Sequence, residues 1–296
     1  MLSNIKKYAD NSETLKEARK NVKEMSLAKE IVVFIALFAL IFFGTMLLNT
    51  ILPVIYMLEI SHGTDDNFAK LLGLYGLIVT PIIIYFIVTR LEKRSWRSVG
   101  VSKGDVISSC LRGLLIGFIM FFTVVIIGLA LGQYKYDGID SSSIIILIPF
   151  FFGFLIQSFG EEFHERGWAL TFISKRHSVI IAILISSIAF SATHLLNRGI
   201  DPLSLLNIVL VGIFFAVLFL KYDNIWVCGC AHAAWNFSQG ALLGFNVSGN
   251  TIPSFLKFSQ VSQNLIGGGK FGPESSLIAT FVILIALLVA VYYTRK

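Results

Sequence analysis

Eight stretches of about 20 predominantly apolar residues divide this sequence, too many to fold away from water in a chain of 296 residues. They run Ile31–Tyr56, Leu71–Thr89, Val106–Leu131, Ile144–Ile173, Val179–Leu196, Leu203–Leu220, Ile225–Phe245 and Leu277–Tyr293. A helix crosses roughly 30 Å of hydrocarbon in roughly 20 residues, so each stretch is a candidate span. Their Phe, Ile and Val content would also suit strands, but such lengths without strict alternation exclude an outer-membrane barrel. Composition agrees: 55% of residues are apolar and 14% charged, where a soluble domain carries about 25% charged residues. The expected fold is all-α, a polytopic transmembrane helix bundle of about eight spans. The first span is too long, and lacks a small-residue cleavage site, to be a cleavable signal.

The formal charge is +6, but its placement points to lipid rather than nucleic acid. Seven basic residues (Lys6, Lys7, Lys16, Arg19, Lys20, Lys23, Lys29) fall in the first 30 positions, and five more between Arg90 and Lys103. No basic face with interleaved aromatics is present, as nucleic-acid binding would need. Further basic connections are Arg166–His177, with Lys175 and Arg176, and the Arg295-Lys296 tail. The alternate connections are poorer in cations and often acidic: Asp65-Asp66, Asp137 to Asp140, and Asn197–Pro202. That alternation places both termini in the cytoplasm. Residues 1–30 read as a solvated basic arm attracted to anionic lipid, residues 31–143 as three spans, and residues 144–296 as a core of five. The Gly-rich 246–274 connection is long enough to re-enter the protein. Cys110, Cys228 and Cys230 form no CxxC pair or disulfide framework, and Cys228 and Cys230 read as packing residues.

The chemistry lies where the apolar pattern breaks. Span four contains Glu161-Glu162-Phe163-His164-Glu165-Arg166, three carboxylates, a histidine and an arginine in six residues, and then resumes as Trp168-Ala-Leu-Thr-Phe-Ile. Glu162 and Arg166 are i and i+4 and can neutralise each other; Glu161 and Glu165 share the same spacing. His194 closes Phe190-Ser-Ala-Thr-His194 near the end of span five, and His232 and Asn236 share one face of span seven. Ionisable groups inside a membrane are costly and mark a substrate or ion path by default.

Glu161-Glu162-x-x-x-Arg166, Phe190-x-x-x-His194 and His232-x-x-x-Asn236 resemble the three signature motifs of the CPBP intramembrane proteases. That family groups CAAX prenyl endopeptidases with bacterial bacteriocin-processing and self-immunity (Abi) proteins. The resemblance covers about Ile144 to Tyr293. It includes a Gly-rich stretch, Gly268 to Glu274, similar to one in bacterial members, which implies a bacterial cell membrane. His164 and Glu165 depart from the family pattern.

The resemblance implies a hydrolase, an intramembrane endopeptidase acting on a membrane-associated or prenylated peptide or protein. By that analogy Glu161 is the general base and His194 helps hold the water. His232 and Asn236 stabilise the oxyanion, and Glu162 with Arg166 is a supporting pair. No cofactor is expected. A zinc protease using Glu161, His194 and His232 as ligands is the alternative, although HExxH is absent. A proton-coupled transporter and a non-catalytic immunity protein are the others. Counted along straight spans of equal length, Glu161 and His194 fall in opposite halves of the bilayer. We therefore expect span five to start deeper than Val179 and Pro149 to lie near the start of span four.

Overall fold

A computed structural model of the chain describes residues 1–20, 22, 24–60 and 66–293. Lys23, Asp65 and the Arg295-Lys296 tail, all part of the expected charge pattern, lie outside the described residues. The helices are α1 (Leu2–Asn11), α2 (Glu13–Ala18), α3 (Leu27–Ile55), α4 (Asp66–Gly76), α5 (Val79–Phe86), α6 (Val106–Ala130), α7 (Leu147–Glu162), α8 (Thr171–Ile173), α9 (Val179–Ala192), α10 (Pro202–Tyr222), α11 (Ile225–Phe237) and α12 (Leu277–Tyr292). Among the described residues, five helical rods are long and apolar enough to cross a membrane: Leu27–Leu58, Asp66–Leu91, Val106–Ala130, Ser141–Ile173 and Pro202–Tyr222. The chain is an integral membrane protein with an all-α bundle architecture.

The other three expected spans are shorter than the apolar runs suggest. Helix α9 stops at Ala192 instead of Leu196, and α11 passes into a π-helical turn at Ser238–Leu242 instead of running to Phe245. Helix α12 ends at Tyr292. The second span bends at Leu77-Ile78 between α4 and α5. Pro81 explains the bend, because it has no N–H for the Leu77 carbonyl. That carbonyl lies against α7 at Gly160, where even a Cβ would stand 3.0 Å from it.

Helices α6 and α11 form the tightest seam. Gly113 and Gly117 present one bare face of α6; a Cβ on Gly117 would sit 2.1 Å from the Ala231 carbonyl oxygen and 2.8 Å from Ala234 Cβ. Small residues four apart allow this approach, and α11 is the helix that carries His232 and Asn236. Cys228 and Cys230 are buried in α11.

The basic end of the bundle is closed by the N-terminal arm, which is docked, contrary to the solvated helix expected. Ile5, Ala9, Leu15 and Ala18 form a buried stripe while Lys6, Lys7 and Lys16 point outward. Tyr8 Oη donates to Val291 O at 3.1 Å, Arg19 Nε to Ser174 O at 3.0 Å, and Thr14 N to Asp223 Oδ1 at 3.0 Å. Arg97 pairs with the same Asp223. The charge density of residues 1–20 concealed the apolar i, i+4 pair at Ile5 and Ala9.

The opposite end carries a feature the sequence did not suggest. Strands β1 (Tyr134–Ile139) and β2 (Leu256–Gln260) pair antiparallel, with Tyr134 opposite Gln260 and Ile139 opposite Leu256. The 246–274 connection folds back onto the bundle. Gly249 N donates to Phe271 O at 2.9 Å, and Gly249, Gly268 and Gly272 take positive φ where backbones approach closely.

The depth conflict disappears without the deeper start expected for span five: α9 begins at Val179. Pro149 does lie in the first turn of α7. Helices α8 and α9 are joined by the short turn 174–178, so their adjoining ends lie at one level. From Ile173 back to Glu161 is 12 residues and from Val179 on to His194 is 15, or about 18 and 22 Å at 1.5 Å per residue. The fourth rod is longer than a bilayer core, so counting from its far end misplaced Glu161.

Candidate functional site

Glu161 and Glu162 end α7, where the chain widens into a π-helix over Phe163–Leu170. Such wide turns recur at functional sites. Glu162 and Arg166 are completely buried, and Arg166 Nη1 donates to Glu162 Oε1 at 3.1 Å. Arg166 Nη2 reaches Gly212 O on α10 at 3.2 Å, and the guanidinium carbon lies 4.6 Å from the centroid of Phe190. The expected ion pair therefore also ties α7 to α9 and α10.

His232 links this pair to the cavity. Its Nδ1 is 3.0 Å from Glu162 Oε1, and its Nε2 is 3.7 Å from Glu161 Oε2, beyond direct hydrogen-bond reach. A carboxylate only accepts, so Nδ1 carries a hydrogen. Phe215 stacks on the ring at 5.1 Å. His194 is fixed by the end of its own helix. Its backbone N–H turns to Ser191 O, which leaves Phe190 O for the His194 Nδ1–H at 2.9 Å and for Thr193 Oγ1 at 2.7 Å. Both histidines thus commit Nδ1 to a positioning bond and leave Nε2 for chemistry.

Glu161, His194, His232 and Asn236, drawn from α7, the end of α9 and α11, line one cavity of about 40 Å³. That volume accommodates ordered water, which needs at least about 10–15 Å³. Phe190, Ile208, Val211, Phe215 and Trp235 form its apolar wall. It adjoins a larger cavity of about 650 Å³, and the two share Gln157, Glu161, Phe190, His194 and Ser248.

Four polar residues of the small cavity, Gln157, Asn207, Ser248 and Glu274, were given no role from the sequence. Gln157, one turn before Glu161, donates from Nε2 to Glu161 Oε1 at 2.5 Å and accepts at Oε1 from Asn236 Nδ2 at 3.0 Å. Its i, i+4 spacing from Glu161 was the available signal. Glu274 stands on the loop ahead of α12, outside the membrane-crossing helices, and accepts at Oε2 from Ser248 N (2.9 Å) and Ser248 Oγ (3.2 Å). Burial pushes its carboxyl up to about 7, against the two Ser248 bonds and the nearby His232. The resemblance reached the Gly-rich stretch that ends at Glu274 but not its place in the cavity, because the loop's return is a tertiary event.

His164 and Glu165 are buried on the wall of the larger cavity, with Nδ1 and Oε1 3.6 Å apart. The His164 ring packs 4.3 Å from Phe38 and 6.1 Å from Trp168. His164 Nε2 and both Glu165 oxygens have no hydrogen-bond partner among the described residues. Also among the described residues, no three His, Cys, Asp or Glu side chains are grouped as a metal site would group them.

Residues 142–238, about a third of the chain, match the family model described as type II CAAX prenyl endopeptidase Rce1-like. This segment is similar to that family. It contains all six residues of the three motifs, Glu161, Glu162, Arg166, His194, His232 and Asn236. The match supports an intramembrane endopeptidase of the CAAX type in general, a hydrolase whose substrate is a peptide or protein at the membrane. No curated protein and no solved structure matches the chain.

Proposed function

We propose that this chain hydrolyses a peptide bond of a membrane-associated substrate with a water activated by Glu161 and His194, without a metal. The observation that carries the reading is the convergence of Glu161, His194, His232 and Asn236 on one small cavity walled on one side by apolar side chains. In that cavity the water oxygen attacks the scissile carbonyl as its proton passes to Glu161, with His194 Nε2 accepting the second water hydrogen as a hydrogen bond. The carbonyl electron pair moves onto oxygen, which receives an N–H from Asn236. A doubly protonated His232 adds its Nε2–H, while Glu162 holds Nδ1 from behind. Collapse breaks the C–N bond, and the proton held by Glu161 goes to the leaving nitrogen. The substrate is of the kind cut in CAAX processing, bacteriocin maturation or self-immunity.

Gln157 is a positioning residue in this scheme. An ionised Glu161 demands the Gln157 amide N–H, which turns the Gln157 carbonyl to Asn236 and commits one Asn236 hydrogen to it. The second Asn236 hydrogen is left for the oxyanion. Gln157→Met is expected to lower kcat by about 10–10²-fold with KM little changed, a share of the 10²–10³ that an oxyanion donor is worth. In an Asn236→Ala background the same substitution should cost much less, as a double-mutant cycle would register. Equal losses in both backgrounds would assign Gln157 a purely structural role.

Comparative peptidomics of cells carrying the native chain or Glu161→Ala tests the reading and names the substrate. Peptides that accumulate uncut only in the variant support it. Identical peptidomes favour the transporter or immunity readings, in which no peptide bond is cut. Zinc is the second reading, favoured by one observation: both histidines tie Nδ1 and free Nε2, as ligating histidines do. Purified protein stripped with a chelator is expected to keep its peptidase activity. Activity lost on stripping and restored by stoichiometric zinc would reverse the assignment.

A further inference from the structure

The two ends of the bundle differ sharply in Lys and Arg. Of the 24 such residues, fifteen stand at the end closed by the N-terminal arm: on the arm and at Lys29, along Arg90–Lys103, and at Arg112, Lys175, Arg176 and Lys221. Only five (Lys70, Lys135, Arg198, Lys257, Lys270) stand at the opposite end, Arg166 is buried between the two, and three lie outside the described residues. All the connections fall below about 60 residues, the regime in which Lys and Arg bias fixes orientation, with the richer side cytoplasmic.

The larger cavity opens away from that basic end. Its outer lining comes from the far end of α3 (Thr50), the start of α4 (Asp66, Lys70), the segment after α9 (Asn197, Arg198) and the 248–252 turn. The arm, Asp223 and the Lys175-Arg176 turn take no part in it. At about 650 Å³ it falls within the ~300–1,000 Å³ of ligand pockets. Its deeper walls include Phe42, Met46, Leu74, Leu77 and Phe154. Thr45, Asn49, Thr80 and Gln157 stand among these apolar side chains, so a trough of mixed lining leads from that mouth to Glu161 and His194 and suits an extended peptide segment lying at the outer interface.

We propose that the catalytic cavity opens on the non-cytoplasmic face and takes a membrane-associated peptide that has already been exported, not a prenylated C terminus presented from the cytoplasm. The proposal rests on the peptidase reading for its chemistry but on charge and cavity shape for its direction. A substrate made in the cytoplasm meets the closed, basic end, where the docked arm and the Arg97–Asp223 pair cover the bundle. A peptide delivered across the bilayer meets the mouth at Arg198 and Ser248 directly.

Thiol labelling in intact cells tests the direction. Cysteines are introduced singly at Ser262, exposed beyond β2, and at Ser3, exposed on the arm, in a Cys110→Ser background that serves as the blank, because Cys228 and Cys230 are buried and Cys110 only partly so. A membrane-impermeant maleimide is expected to label Ser262→Cys on intact cells and Ser3→Cys only after permeabilisation. Thr251→Cys, or Asn250→Cys should the first fold poorly, places a thiol at the cavity mouth. Labelling it from outside should stop cleavage of the substrate found by peptidomics, relative to the same variant unlabelled. The opposite labelling pattern overturns the proposal while leaving the peptidase intact, as does undiminished cleavage after the mouth is labelled. If the native chain cuts no peptide, the peptidase reading falls alone, and the labelling of Ser262→Cys and Thr251→Cys still decides which face the cavity meets.

Discussion

Replacing Glu161 by Gln should remove most turnover while leaving the protein folded. The substitution keeps the shape of the side chain and takes away the one group placed to accept the water proton. General-base catalysis is worth on the order of 10²–10⁴-fold, and the other carboxyl of the cavity, Glu274, is already engaged by Ser248 N and Oγ. Stability should change little, because Glu161 is not the residue that neutralises Arg166; that partner is Glu162. A Gln at 161 can still accept from Gln157 Nε2 through its carbonyl. The measurement pairs cleavage of the peptidomically identified substrate with yield and monodispersity in detergent. Asn236→Ala, which removes one donor and not the base, should retain more activity, losing about 10²–10³-fold. Normal cleavage by Glu161→Gln would remove the central claim.

The bundle and the motif residues were legible because both are local signals. Apolar runs near 20 residues announce membrane helices, and a Glu, a His or an Asn is conspicuous inside them. Where those helices stop was not legible. Hydropathy continues to Leu196, yet α9 ends at Ala192 because Thr193 and His194 compete for the Phe190 carbonyl. The depth of the site was misjudged for a related reason, since an apolar run does not show how far a tilted or overlong rod exceeds the bilayer. The docking of the N-terminal arm was hidden by its charge, and Glu274 by sequence distance. Gln157 was the avoidable omission: its i, i+4 spacing from Glu161 stands in the sequence, and a polar amide at that position in an apolar helix calls for a partner.

Arg166→Ala is expected to be a lesion of stability more than of chemistry. Arg166 does not line the small cavity; it sits behind it, fully buried, between Glu162, the Gly212 carbonyl and the Phe190 ring. Removing it leaves the Glu162 carboxylate in a low-dielectric interior with His232 as its remaining neighbour, and breaking a buried pair from one side costs about 3–5 kcal/mol. The Gly212 carbonyl loses its side-chain donor at the same time, which loosens α10 against the π-helical segment. Protein abundance in membranes should therefore fall together with activity. Arg166→Lys separates the two contributions: it restores the charge but cannot reach Glu162 and Gly212 with one planar fork, so abundance should recover only in part. The double variant Arg166→Ala with Glu162→Gln removes the stranded charge and should recover more of the lost protein than Arg166→Ala alone. Its activity should stay low, because a neutral amide at 162 no longer holds His232 Nδ1 with a carboxylate while Nε2 faces the cavity. Thermal melting of the detergent-solubilised variants, read beside cleavage per folded molecule, distinguishes these outcomes. Full abundance of Arg166→Ala would show that the buried carboxylate is tolerated without its partner and that the pair does not hold the helices together.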